Sequence, residues 1–170
     1  HARSLYEESL AIQRSLDDLR SQAYTLTHLG LLAEETGDLD AAAAAQEHAL
    51  AIRGRGSSRS STSIDNLAGL ARIAQARGDL PEAQRLADRV MEMLAEKGAA
   101  GVEFPALTYV TVFQVLTEAG QDDASAAARA TAILQEGQAL VREQASKLDD
   151  PAMQLMYLEY GPYNRQLLSA

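Results

Sequence analysis

Apolar residues recur along the chain at the spacing of one face of an α-helix. In the segment before Gly37, Leu26, Leu29 and Ala33 fall at positions i, i+3 and i+7, and the segment before Gly78 repeats this spacing. An apolar stripe of this kind over about fourteen residues predicts an amphipathic helix of about four turns. The pattern therefore predicts a chain of helices, each buried along one side.

Glycines that end these segments lie at nearly constant intervals. Gly37, Gly78 and Gly120 are 41 and 42 residues apart. Because glycine enters the left-handed cap conformation at little cost, we expect each of the three to end a helix in this way. Asp38 and Asp79 follow as candidate N-caps of a second helix. The predicted unit is a helical hairpin that repeats along the chain.

The prolines indicate further helix boundaries. Pro81, Pro105 and Pro151 lie where helices are expected to begin, the position at which a missing N–H costs nothing. Pro162 is expected between the last helix and the tail. No proline falls inside a predicted helix, which supports the boundaries drawn from the apolar pattern.

The first two hairpins resemble the tetratricopeptide repeat. The positions that match its pattern are Leu26, Leu29–Gly30, Ala33, Gly37–Asp38, Ala42 and Ala49 in one hairpin, and Leu67, Leu70–Ala71, Ala74, Gly78–Asp79 and Ala83 in the next. The longer period and the Ala-Leu-x-Ile ending at residues 49–52 resemble the variety found in kinesin light chains. The resemblance covers roughly residues 2–148, although Phe113 replaces the pattern's glycine in the third repeat.

This resemblance implies an all-α fold, a right-handed α-α superhelix (a tetratricopeptide solenoid) with a C-terminal capping helix. A single domain over residues 1–170 is expected. Its predicted parts are helix B of a truncated repeat at residues 1–20, repeats at residues 23–56 and 64–97, a degenerate repeat with a long second helix at residues 105–148, and a C-terminal cap at residues 151–170.

The tail resembles the closing segment of tetratricopeptide regions at the C-terminus of bacterial ATP-binding transcriptional regulators and signalling ATPases. The chain opens on His1 without an initiator Met, so we expect a piece of a longer protein. Three of the six tyrosines lie in the tail, at Tyr157, Tyr160 and Tyr163. They are expected to cap the apolar end of the helix stack, or to form a homodimer contact or a docking site.

Composition narrows the class of partner. A net charge of −9 argues against direct binding to nucleic acid or to an anionic membrane, whereas a basic or mixed-charge protein partner is compatible with it. The absence of cysteine excludes disulfides, thiolate zinc sites and cysteine nucleophiles. No run of 18 or more apolar residues occurs, so we expect no membrane span, and the absence of cysteine fits the cytoplasmic protein that we expect.

The histidines, the paired carboxylates and the Gly-rich segment of the chain have structural explanations that need neither catalysis nor metal binding. His28 and His48 show no metal-binding spacing, and adjacent carboxylates such as Asp122–Asp123 are expected at helix starts. The segment at residues 53–63 is rich in Gly, Ser and Arg and is predicted to be a flexible connection, with phosphorylation or an anionic contact as the alternatives. We therefore expect no enzyme, no metal and no cofactor.

Function is predicted from the resemblance, because in this family the first helix of each hairpin lines the concave side. The leading hypothesis is a non-catalytic interaction module that binds a peptide, or another domain of its parent chain, as the regulatory or scaffold part of a larger bacterial signalling or transcription-regulatory protein. The alternative is a small-molecule-sensing regulatory domain of a transcription activator. The candidate groove residues are Tyr24, Thr27, His28, Leu31, Glu34, Asp65, Ala68, Arg72, Gln75, Leu107, Val110, Gln114 and Glu118.

Overall fold

The computed structural model describes residues 1–54, 63–121 and 123–170. Over these ranges the chain forms nine α-helices and no strand. They are α1 (Ala2–Ser15), α2 (Leu19–Glu35), α3 (Leu39–Gly54), α4 (Ser63–Ala76), α5 (Leu80–Lys97), α6 (Pro105–Ala119), α7 (Ala124–Ser146), α8 (Pro151–Tyr160) and α9 (Pro162–Ser169). The helices pack in sequential pairs, which confirms the all-α fold and is consistent with a tetratricopeptide array.

The contacts within the chain form two compact units, His1–Glu103 with α1 to α5, and Phe104–Ala170 with α6 to α9. In the first unit α2 pairs with α3 and α4 pairs with α5, while α4 also packs against α3 and α2. In the second unit α6 pairs with α7, and the two short helices of the tail pack on them. The single domain expected over residues 1–170 stays a prediction.

Alanines make the close packing of the hairpins in the first unit possible. A small side chain lets two helix backbones approach, so little volume is lost where helices cross. The alanines that are wholly excluded from solvent in this unit are Ala42, Ala49, Ala71, Ala83 and Ala87. Larger residues fill the remaining space, and Leu10, Leu26 and Ile52 form one apolar cluster with Ala23 and Ala49.

The first two turns follow the sequence prediction. Gly37 and Gly78 both have a φ of 76°, the left-handed conformation that favours glycine. The carboxylates of Asp38 and Asp79 accept the backbone N–H three residues later, at 3.1 and 3.2 Å. Both predicted N-caps are therefore confirmed. Asp18 caps α2 in the same way, and this cap was not predicted.

The third turn differs from the prediction. Gly120 has a φ of −76°, so the expectation of a left-handed cap there was wrong. A Cβ atom at Gly120 would lie 2.9 Å from the backbone nitrogen of Ala127 and 2.9 Å from the carbonyl oxygen of Leu116. Glycine is required at this turn because the start of α7 approaches the end of α6 so closely.

Prolines begin four helices. Pro81, Pro105 and Pro151 lie in the first turn of α5, α6 and α8, as predicted. Pro162 also begins a helix, α9, so its expected place after the last helix was wrong. The fixed φ of proline suits this position as well as the other three. The tail consequently consists of two short helices, of which α9 buries Leu167 and Asn164 while α8 has no buried residue.

The carboxylate pair Asp122–Asp123 and the Gly/Ser/Arg-rich segment at residues 53–63 are each described only in part. Asp123 caps α7 by accepting the N–H of Ser125 at 2.8 Å, as expected for a carboxylate at a helix start. Its neighbour Asp122 lies outside the described residues, and so do residues 55–62, most of the predicted flexible connection. Within the described ranges, no helix is both long and apolar enough to cross a membrane.

The N-cap at Asp79 contributes to the stability of α5. Replacing Asp79 by alanine is expected to lower the free energy of unfolding by about 1 kcal/mol, because an N–H in the first turn of α5 loses its acceptor. Asp79→Asn is the matched control and should retain most of the stability, since asparagine caps as well as aspartate. Urea denaturation followed by circular dichroism measures both. Equal losses in the two variants would contradict the cap.

Candidate functional site

Helices α2 and α4 lie against each other in the first unit and present some of the side chains that the sequence predicted for a groove. Tyr24 is the most open of these, with 50% of its surface exposed. The half-buried members on these two helices are His28, Leu31, Glu34, Arg72 and Gln75. These six residues, Tyr24 included, are called the α2–α4 face below.

Other predicted groove residues lie inside the protein. Thr27, Asp65 and Ala68 are buried in the first unit, and Leu107 and Val110 are buried in the second. The reason is that these helices are covered on more than one side; α4, for instance, packs against α2, α3 and α5. A buried side chain offers no surface to a partner. In the second unit, Gln114 and Glu118 remain half-buried.

His28 is the centre of an aromatic cluster on the α2–α4 face. The ring of Tyr6, from α1, stacks on the His28 ring with 5.5 Å between centroids and 7° between planes. The Tyr24 ring lies 4.5 Å from the His28 ring at a tilt of 58°. His28 Nε2 lies 2.9 Å from Glu103 Oε1. Neither Tyr6 nor Glu103 was predicted for the groove. Tyr6 lies on α1, which the resemblance assigned to helix B of a truncated repeat, and Glu103 lies 75 residues from His28 in sequence.

Several charged groups converge beside this cluster. The backbone N–H of Glu103 donates to Asp65 Oδ2 at 2.9 Å, which holds the Glu103 backbone against α4. The negative charge of Glu103 raises the pKa of the Tyr24 hydroxyl, and burial and a hydrogen bond between the two side chains add to the shift. Burial lowers the pKa of the Arg53 guanidinium, while the negative charges of Asp65 and Glu103 oppose that shift.

An ion pair joins the two helices of the face. Arg72 donates from Nε to Glu34 Oε2 at 2.8 Å and from Nη2 to Glu34 Oε1 at 3.1 Å. The side chains are 17% and 15% exposed, so the pair is largely shielded from solvent. A two-point guanidinium–carboxylate contact fixes geometry as well as charge. Both residues were predicted for the groove, and their ion pair links α2 to α4.

Beneath the face, Gln46 of α3 is inserted between α2 and α4. Gln46 is 0% exposed, and a Cβ atom at Gly30 or Gly69 would come within 2.6 or 2.8 Å of its side chain. Its Oε1 accepts from Asn66 Nδ2 at 2.7 Å. Asn66 Nδ2 also donates to Thr27 Oγ1 at 3.0 Å, and Asn66 Oδ1 accepts from Arg53. This buried network supports the α2–α4 face from below.

Two cavities lie elsewhere in the described parts of the chain. The larger, of about 520 Å³, opens between α3 and α5 over α4. Half-buried Leu50, Leu67 and Leu70 line it, and its charged rim includes Arg85 and Arg89, each of which pairs with a carboxylate on its own helix. The sequence did not indicate this cavity, because it depends on the spacing between second helices of successive hairpins.

The tyrosines of the tail are held differently from one another. The Tyr157 hydroxyl hydrogen-bonds to Gln144 Oε1, and Asn164 Nδ2 donates to the Tyr157 carbonyl at 2.8 Å. Tyr157 and Tyr163 line a small cavity of about 170 Å³ within the second unit. Tyr160 is 76% exposed. Their roles as cap, homodimer contact or docking site stay predictions.

No group of three or more His, Asp or Glu side chains that could hold a metal ion occurs in residues 1–54, 63–121 or 123–170. The α2–α4 face therefore offers an exposed aromatic ring and a shielded ion pair, and the Glu103 carboxylate lies beside it. Such a surface can bind a side chain by stacking, hydrogen bonding and charge.

Comparison with known proteins bears on the same part of the chain. Residues 22–57 match the tetratricopeptide repeat family, and these residues include most of α2 and all of α3. No curated protein and no solved structure matches the chain. Tetratricopeptide repeats are typically non-catalytic and bind protein partners, and no catalytic family matches. The chain thus carries a tetratricopeptide repeat of the kinesin-light-chain-like kind at residues 22–57, within an all-helical fold of sequentially paired helices.

Proposed function

We propose that the chain is a non-catalytic interaction module that binds a polypeptide on the α2–α4 face. The observation that carries this proposal is the position of the family match. It covers most of α2 and all of α3, and the first helix of that hairpin presents Tyr24, His28 and Leu31 to solvent, wholly or in part. Tetratricopeptide repeats generally bind protein partners, so an accessible first helix is the expected contact surface.

The chemistry of the face fits a polypeptide rather than a single small molecule. It combines an aromatic ring, an aliphatic side chain and an ion pair along two helices. A surface of this kind can contact several successive side chains of a bound peptide. Tyr24 is half exposed, so a site that includes it is open to solvent. A small-molecule sensor would instead enclose Tyr24, His28 and Arg72 in a closed pocket. The exposure of Tyr24 therefore favours a peptide or a protein domain.

The same proposal extends to the setting of the module. A regulatory or scaffold role in a larger bacterial signalling or transcription-regulatory protein, in the cytoplasm, is supported by the resemblance of residues 151–168 to the closing segment of such proteins. In that setting the polypeptide is a separate protein or another domain of the same chain.

Selection from a random peptide library tests the proposed function. Peptides captured by the intact chain are measured by fluorescence anisotropy against the chain, Tyr24→Ala and Tyr160→Ala. Loss of the Tyr24 ring is expected to weaken binding about tenfold or more, because exposed aromatic anchors carry much of the energy of an interface. Tyr160→Ala is the matched control, an exposed tyrosine in the other unit, and should bind like the unaltered chain. A library that yields no binder, or binders indifferent to Tyr24→Ala, would overturn the proposal.

A further inference from the structure

We propose that Tyr6, Tyr24 and Glu103 form a subsite on the α2–α4 face that binds the charged end of an arginine or lysine side chain of the partner. This inference rests on the proposed function and specifies the chemistry of its partner. The side chains come from three separate parts of the first unit: α1, α2 and the segment that follows α5. The ring of His28 contacts both tyrosines and Glu103 and so holds them together.

Aromatic rings supply the first element of cation recognition. A cation within about 6 Å of a tyrosine ring is attracted by the negative face of the π-system, by about 0.5–1 kcal/mol at exposed sites and more where water is excluded. Half of the Tyr24 surface is exposed, so its ring is accessible to an incoming side chain. Contact with His28 holds the ring in place, since the two centroids are only 4.5 Å apart.

The carboxylate supplies the second element. The Glu103 side chain is 22% exposed, so it remains within reach of a partner. A carboxylate can accept about four hydrogen bonds, and the contacts to His28 and Tyr24 leave acceptor capacity on Glu103. An arginine that stacks on Tyr24 could therefore also donate to Glu103, combining the two interactions that guanidinium groups favour.

The local charge is also of the required sign. The carboxylates of Asp65 and Glu103 both act on the Arg53 guanidinium. The charge of Glu103 acts on Tyr24 as well and is the first cause of the raised pKa of its hydroxyl. The whole chain carries a net charge of −9, which attracts a basic partner over longer distances and accelerates its encounter.

The subsite can be tested with two blocked tripeptides, Gly-Arg-Gly and Gly-citrulline-Gly, which differ in the charge of one side chain. Each is titrated into the intact chain while the ring resonances of Tyr24 and His28 are followed by NMR. The arginine peptide is expected to shift both rings and to bind about tenfold more tightly than the citrulline peptide, because only a cation gains from the rings and the carboxylate.

Variants separate the two elements of the subsite. Glu103→Gln is expected to weaken the arginine peptide about fivefold or more, whereas Glu96→Gln, which removes an exposed carboxylate of α5, should leave its affinity unchanged. Tyr24→Phe should retain most of the binding and Tyr24→Leu should lose most of it, since only phenylalanine keeps the ring. Thermal melts of all four variants verify that each one is folded before binding is compared.

Equal affinity for the arginine and citrulline peptides would overturn the subsite. Equal losses in Glu103→Gln and Glu96→Gln would overturn it as well, because the effect would then be one of overall charge. These failures differ from a failure of the proposed function. Library peptides that depend on Tyr24 but tolerate exchange of every arginine and lysine for a neutral residue would contradict the subsite and still support a polypeptide-binding face.

Discussion

Replacing Asn66 by alanine is expected to lower the free energy of unfolding by about 2–3 kcal/mol. Asn66 is 0% exposed, and its amide donates to Gln46 Oε1 and to Thr27 Oγ1 while its Oδ1 accepts from Arg53. Alanine would leave the Gln46 oxygen buried without this donor. A buried polar group that loses its partner incurs its full desolvation penalty.

A second variant separates the loss of hydrogen bonds from the loss of volume. Gln46→Met with Asn66→Leu replaces the two amides by apolar side chains, so no buried Gln46 oxygen is left without a donor. Part of the stability is expected to return, although Thr27 and Arg53 still lose Asn66 as a partner. Urea unfolding of the two variants and the unaltered chain measures the difference. If Asn66→Ala cost less than about 0.5 kcal/mol, or if the double variant were the less stable of the two, the buried network would not be as described.

Gly30→Ala is expected to destabilise the chain by about 1–3 kcal/mol, although alanine is the better helix former by about 1 kcal/mol. The added Cβ would lie 2.6 Å from Gln46 Nε2 and 2.8 Å from Gln46 Cδ. Gln46 is wholly buried, so its side chain has little room to move aside. The steric cost therefore outweighs the gain in helix propensity.

Gly54→Ala is the matched control for this substitution. Gly54 also lies in a helix, at the end of α3, but among the residues that the structure describes a Cβ atom there would have no neighbour within 4 Å. The free energy of unfolding of the Gly54→Ala variant should stay unchanged or rise slightly. Adding Gln46→Ala to Gly30→Ala should remove the clash, so the two substitutions should be strongly coupled in a double-mutant cycle. Additive losses would contradict the insertion of Gln46 between α2 and α4.

Local features of the fold were predictable because they depend on residues close in sequence. The left-handed turns at Gly37 and Gly78 and the caps at Asp38 and Asp79 each involve one helix end and its immediate neighbours. The same is true of Pro81, Pro105 and Pro151 in the first turns of α5, α6 and α8. The left-handed cap expected at Gly120 was wrong for a different reason. Glycine is required there because α7 approaches closely, and a local sequence pattern does not show this approach.

The candidate site was only partly predictable, because its side chains are brought together by packing between distant helices. Tyr24, His28, Glu34 and Arg72 could be proposed from the family resemblance and do lie on one face. Tyr6 and Glu103 could not, since Glu103 is 75 residues from the histidine that it contacts. A polar residue such as Gln46, between two glycines of other helices, is recognisable only once the hairpins are stacked.

The position of a bound peptide tests the proposed binding face most directly. A peptide selected from the library is added to the isotopically labelled chain, and the change in each backbone amide resonance is measured by NMR. If the α2–α4 face binds the peptide, the largest changes fall in Leu19–Glu35 and Ser63–Ala76. Changes concentrated around the cavity between α3 and α5, or in Phe104–Ala170, would contradict it.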